Sequence, residues 1–118
     1  VNVPTQYAGI AALDGPEDSI NLMMNEFTQR RNLIHKLLND LPGVECSLPG
    51  GAFYAFPNVK GTGMSGAEFA KKCMYEAGVA IVPGTAFGNN AEDFVRFSFA
   101  ASTDNIVQAL ENIKKMLS

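Results

Sequence analysis

The stretch on which the fold turns is Phe94-Val95-Arg96-Phe97-Ser98-Phe99. Successive residues of a strand point to opposite faces, so its alternation sends Val95, Phe97 and Phe99 to one side and Phe94, Arg96 and Ser98 to the other. Downstream, Ser102 or Thr103 opens a helix that shows Ile106, Leu110, Ile113 and Leu117 on one side, with Glu111 and Lys115 one turn apart on its polar face. Upstream, a loop from Gly84 through Phe87-Gly88 to Asp93 follows a strand read over Val79 to Val82. Before that strand, Ser65 with Glu68 three residues on forms a capping box. The helix it opens turns Phe69, Ala70, Cys73, Met74 and Ala77 inward, and Gly78 suits the residue just past its end.

Further from the centre, Val44 to Leu48 and Ala52 to Phe56 read as two strands of a hairpin around Pro49-Gly50-Gly51, with Pro57 ending the second. Residues 58–64 are polar and Gly-rich, a loop. The longest element opens at Pro16 and stops at Pro42-Gly43; it carries Ile20, Met23, Met24, Phe27, Ile34, Leu37, Leu38 and Leu41 as a one-sided stripe over about seven turns. A short helix is expected over residues 4–14, ended by Gly15. The order is helix, helix, strand, strand, helix, strand, strand, helix. It predicts one α+β domain over residues 1–118, a small mostly antiparallel sheet of about four strands with amphipathic helices packed on it.

Composition bounds the function. The chain has 118 residues, 47% apolar, with 12 acids against 9 Lys and Arg, a formal charge of −3 and one His. No apolar run is long enough to cross a membrane, and the acidic balance gives no general attraction to nucleic acid. One His and two Cys leave little material for a metal site, and Cys46 and Cys73 read as small buried or half-buried thiols, which makes a reducing cytoplasm the expected compartment. The chain begins at Val1 with no signal segment ahead of the first pattern, and it reads as a piece of something longer.

No complete catalytic constellation is present. His35 lies mid-helix with no acid or nucleophile at a suggestive spacing, Glu92-Asp93 reads as a solvated turn pair, and Gly50-Gly51 and Gly84 match no phosphate-binding fingerprint. Arg96 stands apart. Within so aromatic a strand, a guanidinium must reach an edge or meet an anion, because burying it unpaired is costly. Its planar fork matches a carboxylate. Spacing alone leaves both readings open: an edge or salt-bridged residue, or a ligand-binding one.

Three segments carry a family resemblance: Pro49-Gly50-Gly51-Ala52-Phe53-Tyr54-Ala55-Phe56-Pro57, then Gly78-Val79-Ala80-Ile81-Val82-Pro83-Gly84 with Phe87-Gly88, then Val95-Arg96-Phe97-Ser98-Phe99-Ala100. In this order and register the chain resembles the C-terminal small domain of class I/II pyridoxal-phosphate aminotransferases, the aspartate aminotransferase fold. The resemblance implies that Arg96 grips the substrate α-carboxylate, that Phe53 and Tyr54 lie near the active-site entrance, and that Pro83-Gly84 form a turn approaching the substrate. It implies that residues 1–14 lead out of a large domain, that the parent is a homodimer, and that it uses pyridoxal 5'-phosphate with amino-acid and 2-oxo-acid substrates. Departures count as well. None of the six lysines (36, 60, 71, 72, 114, 115) has the serine-flanked setting of the cofactor lysine, and the family's cofactor-binding Asp, Tyr, Asn and phosphate-binding Ser and Arg are missing. The chain alone is therefore expected to hold no cofactor and to catalyse nothing. Two other readings stay open: a freestanding α+β module that binds small amino acids, and a catalytically silent aminotransferase relative.

Overall fold

A computed structural model describes residues 1–118. Helix α1 spans Val3–Asp14, with the Asn2 side chain accepting from the Thr5 amide at 3.0 Å as its N-cap. Helix α2 spans Asp18–Asn39. Then follow strand β1, Tyr54–Ala55; helix α3, Gly66–Lys72; strand β2, Val82–Pro83; strand β3, Val95–Ser98; and helix α4, Thr103–Leu117. The capping box forms as expected: the Ser65 amide donates to the Glu68 carboxylate at 2.9 Å and the Glu68 amide to the Ser65 hydroxyl at 3.3 Å. The Ser65 hydroxyl also donates to that carboxylate at 2.8 Å, and the amide and hydroxyl bonds together hold Glu68 below the ordinary carboxylate range. Past Lys72 the helix widens into a π-helical turn over Cys73–Ala77, and Gly78 closes it in the left-handed conformation at φ +68°.

The sheet is antiparallel with the order β1-β3-β2, so the Arg96 strand lies in the middle. Tyr54 pairs with Ser98 and Ala55 with Phe97 on one side, Val82 with Arg96 and Pro83 with Val95 on the other. Outlying bonds lengthen the β1–β3 ladder: Phe99 N donates to Phe53 O at 2.9 Å, and Val59 N to Asp93 O at 2.8 Å. Three strands form where about four were expected. The Val44–Leu48 segment is the one that does not: Glu45 makes an isolated bridge to Asn58, beyond β1, instead of a hairpin with the residues just after the glycines. Its next residue, Cys46, takes its backbone partners from a side chain, since Asn39 accepts from Cys46 N and donates to Cys46 O, both at 3.0 Å. Ala52, expected in the second strand, turns instead at φ +57°.

Val95, Phe97 and Phe99 are buried as the alternation predicts. They join one core with Ile34, Leu38 and Leu41 of α2 and its end, Phe69, Ala70 and Cys73 of the third helix, and Ile106, Leu110 and Ile113 of α4. Helices α2, α3 and α4 thus cover one face of the sheet. The N-terminal part of the chain does not share this core. Tyr7, Ile10 and Leu13 of α1 and Ile20, Met23 and Met24 of α2 are exposed, so the apolar stripe of α2 is buried only along its second half.

Candidate functional site

The uncovered face of the sheet carries the chemistry. Tyr54 from β1, Arg96 from β3 and Phe87 from the turn after β2 converge there. The guanidinium carbon of Arg96 lies 4.2 Å from the Tyr54 ring centroid and 4.3 Å from that of Phe87, well inside cation–π range for both. β1 and β2 flank β3 on opposite sides, so the two rings reach the charge from two sides.

None of the chain's three ion pairs involves Arg96; they join Arg30 to Glu26, Lys60 to Asp93 and Lys72 to Glu76. Arg30 offers a contrast. It too lies over an aromatic ring, 5.8 Å from the Phe27 centroid, yet its charge is answered by Glu26 at 3.2 Å. Arg96 is half-buried, wrapped in aromatic surface, and has no acid of its own. A group in that state can take a carboxylate through two parallel N–H···O bonds, where attraction is stronger than in open water.

The neighbouring rings form a ladder. Phe56 stacks on Phe94 with centroids 5.3 Å apart and planes 9° apart, and it meets Phe87 edge-on at 6.0 Å. On the other flank Tyr54 touches Phe53 at 4.6 Å, and Phe53 stacks on Phe27 of α2 at 6.0 Å.

The sequence-predicted residues divide accordingly. Arg96 and Tyr54 come together; Phe53 is one ring removed, against α2. Gly84 is buried beneath the site, not at its surface. Its amide donates to Phe94 O at 2.7 Å, and a Cβ there would lie 2.2 Å from Ala91 O. The close approach that demands glycine is therefore to the chain's own backbone, and it seats the short turn Gly84–Phe87 that carries the second ring. Sequence reasoning gave Phe87 no role. The available signal was a large aromatic in a Gly-bounded loop beside a strand arginine.

Residues outside this face offer less. Cys73 is buried and its thiol is pushed up to about 12 by loss of hydration, while burial also raises that of Cys46; both are free, and neither is poised as a nucleophile. No group of three or more His, Cys, Asp or Glu is placed to hold a metal ion.

The chain as a whole matches a known class of protein. Residues 1–113 match the family described as aminotransferase class I and II, and the chain belongs to that family. An aspartate aminotransferase of Pyrococcus horikoshii is 41% identical over 114 residues, covering 95% of this chain and 29% of that protein. Aromatic-amino-acid aminotransferase 2 of Thermococcus litoralis is 40% identical with the same coverage. Among solved structures, an alanine aminotransferase from Pyrococcus furiosus superposes with a TM-score of 0.92 at 33% identity, over 98% of this chain and 30% of that one. The chain thus spans under a third of the length of the relatives it matches.

The family implies pyridoxal phosphate in its full-length members, held by a lysine. The lysines here do not fit that task. Five of the six are exposed, and Lys72, the half-buried one, lies 3.9 Å from Glu76; Lys60 is engaged by Asp93 at 3.1 Å. Exposed ammonium groups have none of the desolvation that turns a lysine into a nucleophile.

Proposed function

We propose that this chain is the C-terminal small domain of a pyridoxal-phosphate-dependent amino-acid aminotransferase, which moves an amino group between an amino acid and a 2-oxo acid. In the parent protein Arg96 grips the substrate α-carboxylate, and the domain closes over the site and excludes water. The observation that carries this reading is the Arg96 guanidinium, held between Tyr54 and Phe87 with no acid of the chain paired to it. Donor and product acid share the α-carboxylate, so one clamp serves both half-reactions and leaves the side chain unread. The relatives accord with this, since their names differ in the amino acid used.

Alone, the chain is catalytically incomplete, because its lysines are exposed or paired with acids. The bare apolar residues of α1 and the first half of α2 support a large domain seated there, with α1 as the segment leading out of it. A homodimeric parent and a cytoplasmic setting complete the proposal; the two free cysteines and the lack of a helix able to cross a membrane accord with the latter.

The test is Arg96→Ala in the full-length protein. Truncating one partner of a desolvated charge pair costs about 2–5 kcal/mol, or roughly thirtyfold to several-thousandfold in kcat/KM, for amino acid and oxo acid alike. Unchanged kinetics would refute the assignment.

A further inference from the structure

Phe87 is a large aromatic residue left 48% exposed in a loop, which is a poor place for core packing. Its turn is nonetheless tightly seated. The Gly84–Phe87 turn is pinned by the Gly84 amide to Phe94 O at 2.7 Å, and the ring is braced edge-on by Phe56, which in turn lies flat on Phe94. The braced ring then lies 4.3 Å from the Arg96 guanidinium, opposite a Tyr54 ring at nearly the same distance. One ring would leave the guanidinium free to tilt away from it. A second ring, reaching the charge from the β2 side of β3 while Tyr54 reaches it from the β1 side, restrains that tilt, and the N–H edges are the part left to meet a ligand.

We infer that Phe87 is a positioning residue: together with Tyr54 it sets the plane in which Arg96 presents its donors to a planar carboxylate. The inference rests on the reading of Arg96 as the carboxylate clamp. A planar, two-oxygen anion gains most from this arrangement, because both parallel bonds need the fork and the carboxylate to be coplanar. The role requires an aromatic face, not merely apolar bulk.

The experiment measures KM and kcat for the amino donor and the oxo acid in the full-length protein, for Phe87→Ala, Phe87→Leu and Phe87→Tyr, alone and combined with Arg96→Ala. Phe87→Ala and Phe87→Leu are expected to raise both KM values in parallel by roughly fivefold, the scale of one cation–π contact, with kcat nearly unchanged. Phe87→Tyr restores the parent values, and in the Arg96→Ala background the Phe87 substitutions change nothing further. A Phe87→Leu protein with parental KM overturns the inference, as does a loss that adds fully to that of Arg96→Ala. If Arg96→Ala itself leaves the kinetics unchanged, the clamp reading falls and this inference with it. An impaired Arg96→Ala beside an unaffected Phe87→Leu removes only the inference.

Discussion

Gly84→Ala puts the seating of the Phe87 turn to a quantitative test. The added Cβ would lie 2.2 Å from Ala91 O, 2.7 Å from Phe94 O and 2.9 Å from Phe94 Cβ. The nearest of these is more than an ångström short of ordinary contact, and the two oxygens are main-chain atoms that cannot rotate away. Gly84 is not among the positive-φ glycines, so the cost is steric and not conformational. Overpacking of this kind costs about 1–3 kcal/mol. Moving the Phe94 carbonyl also breaks the bond it receives from the Gly84 amide, adding about 1 kcal/mol. The expected destabilisation is about 2–4 kcal/mol, which for an m-value near 2 kcal/mol/M lowers the urea midpoint by about 1–2 M. Circular dichroism at rising urea reads it directly. Gly50→Ala is the matched control, because nothing lies within 4 Å of its Cβ and its φ is not positive; it should stay within about 0.5 kcal/mol of the parent. Equal midpoints for the two variants would show that Gly84 is not held against the Phe94 backbone as described.

Two further outcomes follow from the polar contacts. Asn39→Ala removes the groups that satisfy both the amide and the carbonyl of Cys46, so it should cost about 1–3 kcal/mol in the same unfolding assay. A loss below a few tenths of a kcal/mol would mean that water replaces the asparagine freely. For Glu68, the folded carboxyl is held below its ordinary value, so its ionised form contributes stability above the unfolded pKa and that contribution disappears as pH falls through the folded one. The stability difference between the parent and Glu68→Gln should therefore be largest near neutrality and shrink toward acid; a difference independent of pH would contradict the capping role.

The helices were legible in the sequence because their signals are local. The stripe of α4, the capping box at Ser65 and the left-handed Gly78 each depend on residues within a turn or two, and each stands where it was expected. The Val44–Leu48 segment misled for a physical reason. Val44 and Cys46 alternate inward as strand residues do and are buried, but burial on one face does not require a neighbouring strand when an asparagine from α2 can supply the backbone bonds. The extent of α1 was legible and its environment was not: Leu13 has a core residue's chemistry and is 88% exposed. For the site, alternation placed Arg96 opposite the core, but the two rings beside it come from positions 54 and 87, and no local pattern links those to residue 96.

The double ring around Arg96 also bears on the entropy of binding. A free arginine side chain gives up about 2 kcal/mol of rotamer freedom when it is fixed in one geometry. Here the rings of Tyr54 and Phe87 restrain much of that motion within the folded domain, so the ordering is met during folding and not again when an anion arrives. A carboxylate meeting a clamp of this kind finds its partner already still, and most of its attraction remains to hold it.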